Sequence, residues 1–193
     1  MIIAFFNNKG GIGKTSSCAA FGSALRERGH SVALFTLDRQ RNLGGGKYIS
    51  TGKIEAAIEA ANCEFNLIDC PPGLNARSRK ALSIADKVLI PMEAEGFAVE
   101  GLASILKIMK EFQSVGRDVE YRILFVRIDS RLPYQAELEN FVRASEGATV
   151  MQARILFSRQ VGEANIAKQS VIEHAPKCAA ANAYRAAAKE LTG

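Results

Sequence analysis

The sequence predicts an α/β fold of three layers, with helices covering both faces of a mostly parallel sheet. Short apolar runs rich in Ile, Val, Phe and Leu alternate with longer segments of helical period along the 193 residues. Such alternation implies right-handed βαβ units. Several of the short runs are apolar on both faces, as strands must be when helices pack on either side. A glycine-rich turn directly after the first run adds a third observation, because it places a phosphate-binding loop between a strand and a helix.

The elements follow in order. Met1-Ile2-Ile3-Ala4-Phe5-Phe6 has no positive flank and runs straight into Asn7-Asn8-Lys9-Gly10, so it reads as a buried strand and not a secretory signal. Strands are expected over residues 2–7, 31–37, 65–70, 87–91, 120–128 and 148–156. Helices are expected over residues 14–28, 53–61, 75–85, 98–112, 134–146 and 179–191. In the fourth helix Leu102, Ile105, Leu106 and Met109 recur at three- and four-residue steps, an amphipathic stripe. No internal repeat, Pro- or Ser-rich linker or long charge block interrupts the pattern. Gly44-Gly45-Gly46 is too short for an interdomain linker and reads as a mobile loop. One domain spanning residues 1–193 is expected, against a prior of about 150 residues per domain.

Composition excludes several classes. A hydrophobic fraction of 48% and a charged fraction of 23% rule out a disordered, collagenous or disulfide-stapled chain. No apolar run approaches the roughly 18 residues needed to span a bilayer. Cys18, Cys63, Cys70 and Cys178 form no C-x-x-C pair, and they read as reduced thiols of a cytoplasmic protein. The net charge of +5 permits contact with nucleic acid without establishing it.

The most informative segment is Asn8-Lys9-Gly10-Gly11-Ile12-Gly13-Lys14-Thr15-Ser16. Glycines let successive backbone N–H groups converge on anionic oxygens, and the following helix adds the positive end of its dipole. Lys14 can reach the β- and γ-phosphates, and the Thr15 hydroxyl can bind magnesium. Asn8 stands where the general G-x-x-x-x-G-K-[ST] pattern has its first glycine. A second lysine, Lys9, stands at the front of the loop, where a cation could face phosphates held by another subunit.

Two carboxylates complete the candidate site. Asp38 and Asp69 each follow an apolar run, at the carboxyl ends of strands where ligands bind in open α/β sheets. Asp69 would hold a magnesium-bound water; Asp38 would position the lytic water or a second metal-bound water.

These motifs resemble the ParA/MinD group of deviant Walker A ATPases, a branch of the P-loop NTPases whose hallmark K-G-G-x-G-K-[ST] is matched by Lys9 through Thr15. The resemblance implies ATP and Mg2+ as cofactors and an ATP-dependent homodimer in which Lys9 of each subunit contacts the other's nucleotide. It is similar also at Thr36-Leu37-Asp38-Arg39-Gln40-Arg41-Asn42, against a family pattern D-x-D-P-Q-x-N. Thr36 replaces the first acid and Arg39 the proline, so Asp38 is the sole carboxylate there and hydrolysis could be slow or differently arranged. Asp69-Cys70-Pro71-Pro72-Gly73 resembles the D-x-P-P switch segment, and Glu95-Gly96-Phe97-Ala98-Val99-Glu100-Gly101-Leu102 the E-x-F-A-L-E-G-L helix start. Leu156-Phe157-Ser158-Arg159-Gln160 stands where larger relatives have I-P-R-N, so adenine contacts stay unassigned.

Within the group, the short segment between Asn42 and Phe65 and the lack of a preceding helix-turn-helix domain resemble the small plasmid ParA proteins. The last helix, mainly alanine, has too weak an apolar face for a MinD-like membrane anchor. The expectation is a partition ATPase that positions DNA, binding nonspecific DNA as an ATP dimer and activated by a ParB-like, centromere-binding partner. Arg159, Lys168 and Arg185 are the candidate DNA contacts. A positioning ATPase for a protein cargo, or more distantly a metabolic ATP-dependent ligase, remains an alternative.

Overall fold

The computed structural model describes residues 1–38, 46–96, 98–117 and 119–193. Among the described residues seven strands form one sheet: β1 (Ile2–Phe5), β2 (Val32–Thr36), β3 (Lys47–Tyr48), β4 (Phe65–Asp69), β5 (Lys87–Met92), β6 (Glu120–Ile128) and β7 (Val150–Leu156). Their order is β3-β2-β4-β1-β5-β6-β7 and every pairing is parallel. The chain moves outward from β1 through β2, returns at β4, and then crosses β1 to continue from β5. That reversal puts β1 at the switch point of the sheet, and the crevice beyond its carboxyl end is where this architecture binds ligands.

Alternation along β1 builds two cores. Ile3 and Phe5 face one layer, made with α1 (Lys14–Glu27) and α8 (Ala179–Thr192); Ala4 and Phe6 face the other, with α3 (Ala76–Ile84) and α4 (Ala98–Ser114). Between these lie α2 (Ile54–Ala61), α5 (Pro133–Ala144), α6 (Arg159–Ile166) and the short α7 (Val171–His174). Alanine-rich α8 packs through Tyr184, Ala187, Ala188 and Leu191, all buried, and the Tyr184 ring meets Phe21 of α1 edge-on. Each fully buried large side chain contributes about 1.5–3 kcal/mol, so burial rather than ion pairing holds this helix.

All six expected strands and all six expected helices form, with ends displaced by a few residues. The sequence reading did not foresee β3, α6 or α7. β3 has only two residues, both exposed, too few for a period. In α6 only Ala164 is buried, so no apolar stripe marks it. α7 does carry a readable signal, the Ser170–Glu173 capping box, in which each side chain accepts from the other's backbone N–H.

Register carries the site. Asp69 pairs with Phe5 of β1 on one side and with Thr36 of β2 on the other. The last row of the central sheet thus brings the Asp69 carboxylate to Thr15, at the end of the phosphate loop.

Candidate functional site

The loop is held from both sides. The buried Asn7 amide donates to the Pro91 carbonyl at the end of β5 across 2.7 Å, and Asn7 Oδ1 accepts from the Lys9 backbone N–H at 3.0 Å. Gly11 and Gly13 adopt φ of 76° and 82°, the left-handed region that a side chain resists. They let the backbone fold back before α1 begins. A Cβ added at Gly10 would lie 3.9 Å from Pro72 Cβ, so the switch segment packs directly over the loop.

The two lysines occupy different places. Lys14 is 4% exposed, and its Nζ donates to the Lys9 carbonyl oxygen across the loop at 2.8 Å. Lys9 has a side chain 52% exposed at the lip, with Nζ 3.4 Å from Glu93 and 3.4 Å from Glu95. Partial burial disfavours the Lys9 ammonium, but the two carboxylates outweigh it and raise the Lys9 pKa above its ordinary value.

Thr15 Oγ1 donates to Asp69 Oδ2 at 2.8 Å, and Asp69 is fully buried. The Thr36 hydroxyl approaches the same oxygen at 3.4 Å and accepts from the Asp38 backbone N–H at 3.1 Å. Where the family pattern has an acid, this chain therefore sets a neutral donor against a buried carboxylate, which avoids like-charge repulsion between row neighbours. Asp38 itself stands at the carboxyl end of β2, beyond Thr36. Gln40 and Asn42 of the same motif, Gly44 and Gly45 of the glycine run, and Phe97 lie outside the described residues. Cys70, next to Asp69, is buried, and burial followed by the Asp69 charge pushes its thiol far up, so it stays neutral.

A hydroxyl and a carboxylate this close form an oxygen donor pair suited to magnesium, which keeps several waters and is shared with phosphates. Among the described residues no cluster of three or more His, Cys, Asp or Glu could form a protein-only cage. The donor set fits a cation that arrives with a nucleotide.

A cavity of about 270 Å³ opens beside the loop, walled by Gly13, Ser16, Arg127, Phe157, Asn165 and Tyr184 among others. Ser16 Oγ donates to Asn165 Oδ1 at 3.0 Å, tying α1 to α6 across its wall. The cavity is lined by Leu156, Phe157, Ser158 and Arg159, from the segment where the sequence leaves adenine contacts unassigned. Two further residues escaped the sequence reading. Arg127, at the end of β6, adopts a left-handed φ of 58°, and its Nη1 lies 2.6 Å from Glu93 Oε1. No pattern in the sequence marks a non-glycine residue in that conformation.

The three candidate DNA contacts differ. Arg159 opens α6 and Lys168 follows its end; both are exposed. Arg185 is committed within the fold: Nε and Nη2 pair with Glu27 at 2.6 and 2.9 Å, while Nη1 reaches the Pro176 carbonyl and Asn182.

The AAA domain family matches residues 1–63 and 54–123, more than half of the chain. The chromosome-partitioning ATPase Soj of Thermus thermophilus is 26% identical over 235 residues, covering 98% of this chain and 94% of Soj. The chain belongs to the ParA/MinD family of ATPases. Among solved structures, the MinC:MinD cell division complex of Aquifex aeolicus superposes with TM-score 0.80 at 19% identity, covering 100% of this chain and 95% of that one. Cobyrinic acid a,c-diamide synthase of Mycobacterium smegmatis, with bound ADP and magnesium, gives 0.80 at 21% identity, covering 98% and 93%. These two likenesses establish the fold and no more. Among the described residues no helix is long and apolar enough to cross a membrane.

Proposed function

We propose that this chain is a single ParA-type ATPase domain over residues 1–193, cytoplasmic and nucleoid-associated, which positions DNA through ATP-dependent dimerisation. The observation that carries the reading is the separation of the two loop lysines. Lys14 lies inside its own cradle, whereas Lys9 projects from the lip and can serve phosphates bound by a second copy.

In this reading the backbone of residues 9–16 and the Lys14 ammonium take the ATP phosphates, and the cavity beside Gly13 takes the nucleoside. Thr15 and Asp69, with Asp38 nearby, would hold magnesium, which neutralises phosphate charge when bound. Asp38 orients the lytic water, and turnover is slow until a ParB-like, centromere-binding partner stimulates it. Soj is a chromosome-partitioning ATPase by name, and its match along 98% of this chain supports DNA as the cargo. Arg159 and Lys168 are suited to phosphate contacts by their exposure. Each contact repeated in a dimer steepens the salt dependence by about 0.9 in the slope of log affinity against log salt.

The test is binding to unrelated duplexes with ATP or ADP across a salt series. Tight, salt-sensitive binding with ATP alone supports the reading. Equal binding in both nucleotides, or none at low salt, overturns DNA as the cargo and favours a protein cargo. Turnover of a small carboxylic acid would instead identify a metabolic ligase.

A further inference from the structure

We infer that Glu93 is a positioning residue for Lys9, holding the lysine against its own subunit until a partner's nucleotide displaces it. The inference rests on the reading that Lys9 serves the opposite subunit of an ATP dimer.

Glu93 directly follows β5 and is 9% exposed, buried enough that its carboxylate needs partners. It has two. Oε1 lies 2.6 Å from Arg127, and Oε2 lies 3.4 Å from Lys9. Arg127 reaches Glu93 from a left-handed backbone conformation, which is uncommon for a long side chain and persists only where surrounding contacts hold it. The short, strong contact therefore fixes Glu93 to β6, and the longer one restrains Lys9. Glu95 adds a second restraint at 3.4 Å, but its side chain is 53% exposed and more fully screened by solvent.

The asymmetry has a consequence for release. When Lys9 leaves for another subunit's phosphates, Glu93 keeps its Arg127 partner and is not left as an uncompensated buried charge. Breaking one arm of a bridged carboxylate costs less than stranding it. Glu93 can thus let go of Lys9 reversibly, and its pull opposes dimerisation until the phosphates outcompete it. A partly exposed ion pair shifts an equilibrium by up to about fivefold. Both subunits must release their lysine, so the dimer constant shifts by up to roughly twenty-five-fold.

The experiment is sedimentation of the full chain with a slowly hydrolysed ATP analogue, comparing the parent with E93Q, E93D, K9A and the E93Q/K9A double variant. The expected result is a dimer up to roughly twenty-five-fold tighter for E93Q, near-parental behaviour for E93D, and no effect of E93Q when Lys9 is absent. E93Q that dimerises like the parent or more weakly overturns the inference, as does an E93Q effect that persists with K9A. Should E93Q unfold, E93M removes the same charge while keeping an apolar side chain of similar length: a tighter dimer supports the inference, and parental or weaker dimerisation overturns it. A parent that does not dimerise with the ATP analogue would refute the dimer reading itself, a different outcome from a parent that dimerises indifferently to Glu93.

Discussion

Lys14 Nζ donates to the carbonyl oxygen of Lys9 at 2.8 Å, so the buried lysine of the phosphate loop braces the backbone of the exposed one. The contact closes the loop on itself and gives the Lys14 ammonium an oxygen partner in place of the phosphates it would meet with nucleotide bound.

Lys14→Ala should lose ATP affinity by roughly thirtyfold or more, as expected for a charged hydrogen-bonding group worth about 2 kcal/mol. The fold should survive, since Lys14 sits at the junction of loop and helix and belongs to neither hydrophobic core. Titration with a fluorescent nucleotide checks affinity and thermal melting checks the fold. Unchanged affinity would remove Lys14 from the site.

Lys9→Ala should behave differently. Its ammonium stands outside the cradle, so nucleotide binding persists while ATP-dependent dimerisation is lost. Sedimentation with a slowly hydrolysed analogue reads both states, and a variant that dimerises like the parent would make Lys9 an ordinary surface lysine.

Asp38→Ala should bind ATP and dimerise but hydrolyse roughly 100-fold more slowly, the scale of a lost proton-handling or water-orienting group. Single-turnover phosphate release measures it. Normal turnover would place the decisive carboxylate elsewhere.

Arg185→Ala should reduce stability more than DNA affinity. Its guanidinium is engaged with Glu27, and the Arg185 hydrogen bond lowers the Glu27 pKa below its ordinary 4.5. A carboxylate held down in the folded state stabilises above the unfolded pKa and loses that contribution as the pH falls through the folded one. The stability gap between parent and Arg185→Ala should therefore narrow below about pH 4.5 in denaturant melts. A gap that stays constant into acid would mean that the arginine acts through packing alone. Arg159→Ala and Lys168→Ala are the comparison for DNA, each expected to flatten the salt slope of the ATP dimer by about 2 units, since each removes one phosphate contact of about 0.9 from either subunit.

The sheet was legible in the sequence because each central strand carries its own apolar run, and the loop because K-G-G-x-G-K-T fixes both chemistry and context. α6 was not, since Ala164 is its one buried residue and no apolar stripe marks the helix. Arg127 and Glu93 were not, because their meeting depends on β5 and β6 pairing side by side and on a backbone angle that side-chain identity does not announce. Arg185, a candidate DNA contact in the sequence, pairs with Glu27 158 positions away, a meeting that no local pattern announces.

The row that aligns Phe5, Asp69 and Thr36 ties two fates together. Successive strand residues point to opposite layers, so inserting or deleting one residue within β4 would turn Asp69 away from Thr15 and exchange Leu67 with Ile68 between the cores. Such a change could not spoil the chemistry quietly: the polypeptide that lost its carboxylate would also lose its interior. Variation that spares the molecule yet retunes its activity has to enter through side chains at the ends of the strands, and never through their lengths.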